Sequence, residues 1–179
     1  MLLDAGFNYQ IAMDDAMALK HFTLVKKLLS KTSDEVVRGV VEKTKRNLLH
    51  TLALYNGPLD IAEKLVSRGI NPTALDATNR QPLHYASSPE LAQFFLTHGA
   101  DPSVRDSSNA TPLNNMASRG VLSPDLISVL NATGLNDPDN DGTTPLINCV
   151  RQHSWAAAAE LINRYATIYC ISANSIYNL

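Results

Sequence analysis

The chain has 179 residues, 45% of them hydrophobic, and a formal net charge of −2. This apolar content supports a folded core rather than disorder. The nearly balanced charge offers no surface for neutralising nucleic-acid phosphates. No apolar run reaches the ~18 residues of a membrane span. With two cysteines, too few for a disulfide framework, we expect a soluble intracellular protein, cytoplasmic or nuclear, that binds neither nucleic acid directly nor a membrane.

A short segment recurs along the chain and predicts a structural repeat. Its copies share a leucine, and the shared leucines are Leu49, Leu83, Leu113 and Leu146. They follow one another after 34, 30 and 33 residues. A period of this length indicates an array in which each unit buries its apolar face against its neighbours.

Prolines predict where the helices of each copy begin. Three of them directly precede a shared leucine and open a first helix, at Pro82, Pro112 and Pro145. Three others open a second helix, at Pro58, Pro89 and Pro124. Proline suits the first helical position because its missing N–H would have no helical partner there. Each copy therefore predicts two short helices.

Glycine and asparagine predict turns with positive φ. A glycine follows the second helix of three copies, at Gly69, Gly99 and Gly134, which is the usual position after a helix C-terminus. Four residues before each shared leucine the sequence has Lys45, Asn79, Asn109 and Gly142. Since Asn and Gly tolerate positive φ best, we expect the turn at Lys45 to be less regular than the others.

These motifs resemble those of the ankyrin-repeat family. Gln81-Pro82-Leu83-His84 and Gly99-Ala100-Asp101 are similar to the family's Thr-Pro-Leu-His and Gly-Ala-Asp segments. The resemblance implies an all-α solenoid of about five helix–turn–helix units with short extended loops, in a single domain over residues 1–179. The approximate units are 9–44, 45–78, 79–108, 109–141 and 142–174, with partial units at 1–8 and 175–179. Because both ends fall inside units, we expect a fragment of a longer array.

The resemblance also implies a function, that of a non-enzymatic adaptor or scaffold that binds a protein or peptide partner. In such arrays the first helices line a concave palm and the turns form finger tips. Carried over by position, this predicts nine partner-binding residues, which we call the palm set: Arg46, Thr51, Tyr55, Arg80, Tyr85, Asn115, Arg119, Arg151 and Gln152. Arg and Tyr suit such a surface, and an acidic, aromatic partner segment would complement it.

An alternative function stays open at this point. Ankyrin arrays also recruit substrates for larger enzymes or regulators, such as an ADP-ribosyltransferase, a ubiquitin ligase or a transcription regulator. The residues before and after this stretch of chain would discriminate the two, because a catalytic domain would lie there.

Two constellations could hold a metal ion or a catalytic group. Acidic residues at positions 1, 3 and 5 and glycine at 6 make residues 137–142 similar to a calcium loop, but position 12 would be Asn148, which lacks the carboxylate. Cys149 and His153 are four residues apart, but no complete four-ligand spacing accompanies them. We therefore predict no catalytic residue, metal site, cofactor or small-molecule substrate.

Several further residues receive structural predictions. The resemblance implies that His50 and His84 bond loop backbone between neighbouring units, and that Asn114 and Ile147, in the same position, lock their junctions more weakly. Trp155, the single tryptophan, is expected to pack in or near the core, with an exposed partner anchor as the alternative.

Overall fold

The computed structural model describes residues 9–39, 44–131 and 133–164. Contacts divide the chain into two compact units, Met1–Asp101 and Pro102–Leu179. The described residues form short helices joined by loops, which confirms the all-α repeat fold. The partial repeats expected at 1–8 and 175–179 lie outside the described residues, and the assignment of residues 1–179 to one domain stays a prediction.

Consecutive helices of the first unit pair and stack. Its helices are α1 (Tyr9–Ala18), α2 (Phe22–Lys31), α3 (Asp34–Arg38), α4 (Leu48–Leu54), α5 (Leu59–Ser67), a 3-10 helix (Pro82–Tyr85) and α6 (Pro89–Thr97). α1 packs against α2 and α4, the 3-10 helix packs against α4 and α6, and α5 packs against α6. First helices thus contact first helices and second helices contact second helices, as stacked repeats require.

The second unit repeats the same pattern. It contains α7 (Pro112–Ser118), α8 (Pro124–Val129) and α9 (Pro145–Arg151), and residues 155–164 form a further helical stretch. α7 packs against α9, so first helices are again neighbours.

The local signals for helix ends are confirmed. Ser88 and Ser123 accept hydrogen bonds from the N–H groups of Leu91 and Leu126, at 3.4 and 3.2 Å, and each is followed by a proline in the first helical turn. These caps satisfy N–H groups that have no partner inside the helix.

Backbone torsions at the turns confirm the role of glycine and asparagine. Gly69 and Gly99 have φ of 86° and 88°, and Asn79 and Asn109 have 60° and 61°. Lys45 has φ of 53°. The expectation of a less regular turn at Lys45 is therefore wrong for this torsion, because the structure imposes the same left-handed conformation on it.

The first helix of the unit at 79–108 is only a 3-10 helix, Pro82–Tyr85. Leu83 is followed by Gly99 after 16 residues, whereas Leu49 is followed by Gly69 after 20. The missing residues leave no room for a further helical turn before α6. Leu49, Leu83 and Leu113 are all buried, so the shared leucines anchor the core despite this shortening.

Candidate functional site

A buried carboxylate, Asp76, organises the turn between α5 and the 3-10 helix. Its Oδ1 accepts hydrogen bonds from the backbone N–H groups of Thr78 and Arg80, at 2.8 and 3.1 Å. The Tyr85 hydroxyl donates to Oδ2 at 2.6 Å. The carboxylate therefore ties the turn to the helix that follows it.

Arg46 lies over Tyr85 from the preceding turn. Its Nη2 donates to the Tyr85 hydroxyl oxygen at 2.8 Å, and its guanidinium carbon lies 4.7 Å from the ring centroid. Its Nε lies 3.5 Å from Oδ2 of Asp76. The Arg80 guanidinium lies 5.8 Å from the same ring. Both arginines are thus held by contacts within the first unit.

The charge of Asp76 follows from these contacts. Burial acts to raise the pKa of this carboxyl, but hydrogen bonds from Tyr85, Thr78 and the backbone of Arg80 outweigh burial and lower the pKa to about 2. Asp76 is therefore ionised at neutral pH, and its negative charge compensates the positive charge of Arg46.

A cleft of about 220 Å³ opens beside this cluster, between α1 and α4. We call it the α1–α4 cleft, and its lining includes Asp14, Asp15, Arg46, Thr51, Leu54 and Tyr55. Burial and the neighbouring charge of Asp15 raise the pKa of Asp14, while the Thr51 hydroxyl and Arg46 act to lower it. One wall of the cleft is therefore acidic, and the other carries a hydroxyl and an aromatic side chain.

In the second unit, Asp106 has the same role as Asp76. Its Oδ1 accepts from the N–H groups of Ser108 and Ala110, at 2.9 and 3.0 Å. Asn115 donates from Nδ2 to Oδ2 at 3.1 Å. In both units, a turn carboxylate thus accepts a hydrogen bond from the residue two positions after the shared leucine.

Polar side chains also link successive first helices to the turns that follow. His50 Nε2 donates to the Arg80 carbonyl at 3.0 Å, which confirms its structural role. Asn114 Nδ2 donates to the Thr143 carbonyl at 2.8 Å, and Asn148 Nδ2 donates to Asn114 Oδ1 at 2.6 Å. Asn114 therefore makes the same type of contact with the following turn as His50 does. The geometry shows no sign of the weaker junction that was predicted here.

A family model for ankyrin repeats, in three copies, matches residues 12–106, just over half of the chain. The chain belongs to the ankyrin-repeat family. No curated protein matches it. Ankyrin repeats generally mediate protein–protein interaction, and the family is typically non-catalytic.

Three members of the palm set are not at the ankyrin surface. Tyr85 is 3% exposed, and Thr51 and Asn115 are each 7% exposed. The expectation of exposed side chains is wrong here, because Tyr85 and Asn115 turn back to Asp76 and Asp106 and Thr51 lies in the wall of the α1–α4 cleft.

The other six members are at least partly accessible. Arg46, Tyr55, Arg80 and Arg119 are half-buried, and Arg151 and Gln152 are exposed. Arg151 Nη1 donates to Thr143 Oγ1 at 3.3 Å. The structure brings Arg46, Thr51 and Tyr55 together around the α1–α4 cleft. That any of the nine contacts a partner stays a prediction.

Trp155 requires a correction. Its side chain is 61% exposed, so the expectation that it packs in or near the core is wrong. The buried face of the stretch 155–164 consists of Ala157, Ala158 and Leu161, and Trp155 lies off that face. Its ring lies 5.7 Å from the ring of His153.

The two constellations considered for metal binding are engaged in other contacts. Asp137 pairs with Arg105 at 2.6 Å, and Asp139 Oδ1 accepts from the N–H groups of Asp141 and Thr143. Cys149 is fully buried, and burial raises its pKa to about 11. Within residues 9–39, 44–131 and 133–164, no group of three or more His, Cys, Asp or Glu is arranged to hold a metal ion.

Nor does the described part of the chain contain a helix that is long and apolar enough to cross a membrane.

The turn carboxylates were missed at the level of sequence, although a signal for them exists. Asp76, Asp106 and Asp139 follow one another after 30 and 33 residues, the same intervals that separate the last three shared leucines. Asp14 has no such repeated signal, because its role depends on the neighbouring α4.

Proposed function

We propose that this chain is a non-catalytic module that binds a protein or peptide on the face formed by its first helices, with the α1–α4 cleft as the anchor point. One observation carries the proposal: the cleft lies between consecutive first helices and gathers Arg46, Thr51 and Tyr55. Sequence position alone assigns these three to the palm of an ankyrin array.

The physical state of the cleft supports this role. Arg46 is held by Tyr85 and Asp76, so its side chain loses little freedom when a partner arrives. Tyr55 is half-buried and lines the cleft. Tyr and Arg are enriched among the residues that contribute most to binding at interfaces.

In the second unit the corresponding candidates are Arg119, Arg151 and Gln152. The proposal places the module inside the cell, in the cytoplasm or nucleus, where a thiol such as Cys149 stays reduced.

A random-peptide library selected on the purified chain tests the proposal. Affinities of the selected peptides are then measured for the wild type, for Tyr55→Ala in the cleft and for Glu63→Ala, an exposed control on α5. We expect Tyr55→Ala to weaken binding about tenfold and Glu63→Ala to leave it unchanged, with both variants melting near the wild type. Failure to select any peptide, or equal affinities for the wild type and Tyr55→Ala, would contradict the proposal.

A further inference from the structure

α9 exposes an apolar side chain at a position that is buried in the preceding units. The residue that directly follows the shared leucine is Ile147 in α9, and 41% of it is exposed. The equivalent residues of the preceding units are buried: His50, His84 and Asn114. The following turn contacts two of them, because His50 and Asn114 each donate a hydrogen bond to a carbonyl of that turn. Ile147 has no polar group in its side chain, so a segment that covers it has to be apolar.

A second position in α9 shows the same difference. The residue four positions after the shared leucine is fully buried in α4 and α7, where it is Ala53 and Ala117. In α9 it is Val150, which is 47% exposed. Ile147 and Val150 lie three residues apart in one helix and therefore on the same side of it. We call this pair the α9 face, and it is apolar where the outer side of a terminal repeat is normally polar.

The chain itself supplies a segment of matching character. Residues 165–179 directly follow the last described helical stretch and contain no Asp, Glu, Lys, Arg or His. They include three isoleucines, three tyrosines and a leucine. Segments that stay in water typically carry charges and few aromatic or β-branched residues. A segment of this composition gains free energy when its side chains are buried against an apolar surface.

The spacing of the repeat assigns one part of this segment to the α9 face. The carbonyls that accept hydrogen bonds from His50 and Asn114 lie 31 and 30 residues after the preceding shared leucine. The same intervals counted from Leu146 lead to Tyr177 and Ile176. Large apolar side chains therefore occur in the sequence where the preceding units have the backbone that contacts the first helix.

We propose that residues 165–179 fold back over α9, and that Ile176 and Tyr177 cover Ile147 and Val150. An apolar contact then replaces the hydrogen bond that the preceding units make at this position. Because the segment belongs to the same chain, the contact forms at a high effective concentration, which favours it over a second copy of the chain or another protein. This contact is independent of the proposed function, since no partner takes part in it.

Cysteine cross-linking in the full chain tests which segment covers the α9 face. Both native cysteines are replaced, as Cys149→Ala and Cys170→Ser. New cysteines are introduced as Ile147→Cys and Asn178→Cys, so that Ile176 and its neighbour in the proposed contact are kept. Under native conditions a short bismaleimide should join this pair within one chain.

The matched control pair is Asp125→Cys with Asn178→Cys. Asp125 is exposed on α8 and does not belong to the α9 face, so this pair should be joined about tenfold less. Equal yields for the two pairs would overturn the proposal. Joining of the Ile147→Cys pair between two chains rather than within one would overturn it as well, because a second copy would then occupy the face.

A charge placed in the segment gives a second readout, in a chain that keeps its native cysteines. Ile176→Asp should speed amide exchange in α9 about tenfold, because a carboxylate resists burial against apolar side chains and the helix then opens more often. Asn174→Asp is the matched control, since it adds the same charge at a polar position, and it should leave exchange in α9 unchanged. Equal exchange of α9 in the wild type and in Ile176→Asp would contradict the proposal even where the cysteine variants do not fold.

Discussion

Replacing Tyr85 by phenylalanine should destabilise the protein in a pH-dependent way. The change removes the hydroxyl that donates to Asp76 at 2.6 Å and accepts from Arg46 at 2.8 Å, while the ring still fills its buried place. A hydrogen bond to a charged group contributes about 1.5–3 kcal/mol. We expect a loss of this size in the free energy of unfolding at neutral pH.

The pH dependence follows from the pKa of Asp76, which is about 2 in the folded chain and ordinarily 3.8. Because the folded pKa is lowered, ionised Asp76 contributes about 2.4 kcal/mol of stability above the ordinary pKa, and this is lost as the pH falls from about 4 towards 2. At pH 3 about 1 kcal/mol of it is already gone. Tyr85→Phe raises the folded pKa, so the variant has less of this stability to lose.

Urea unfolding at pH 7 and pH 3 measures both effects. The difference in unfolding free energy between the wild type and Tyr85→Phe should be larger at pH 7 than at pH 3. Tyr55→Phe is the matched control, because the Tyr55 hydroxyl makes no hydrogen bond within the described residues, and its effect should stay within about 0.5 kcal/mol. An equal difference for Tyr85→Phe at both pH values would refute the role assigned to Asp76.

Three other predictions concern stability and reactivity. Gly69→Ala should lower the free energy of unfolding by about 1 kcal/mol, because φ is 86° there; an unchanged urea midpoint would contradict this. Asn114→Ala should remove about 1–3 kcal/mol, since it leaves the amide of Asn148 without its acceptor; a loss no greater than that of an exposed alanine variant would argue against the buried link. In a Cys170→Ser background, Cys149 should react with a thiol reagent only as fast as the protein unfolds, because the thiol is buried with a pKa of about 11; fast labelling of the native chain would show that it is accessible.

Helix ends and turns could be predicted from the sequence because their determinants are local. Pro89 follows Ser88, and the serine caps the helix through its own neighbours. Gly69 and Asn79 adopt positive φ for reasons that belong to those residues alone. Such signals act within a few residues, so they do not depend on how the rest of the chain is arranged.

Exposure could not be predicted in the same way because it depends on distant partners. Tyr85 occupies a surface position of the family pattern, yet it is buried because its hydroxyl donates a hydrogen bond to Asp76, nine residues earlier in the chain. The spacing of apolar residues around Trp155 does not indicate that its side chain is exposed. Asp14 gains its importance only from the packing of α1 against α4, which a single repeat does not contain.

Binding of a protein segment at the face where α1 and α4 meet can be located by amide exchange. The exchange of the purified chain is measured by mass spectrometry with and without a saturating selected peptide. We expect slower exchange on binding in α1, α4 and the turn that contains Thr44 and Arg46. Slower exchange confined to α5 and α6, with none in α1 or α4, would contradict it.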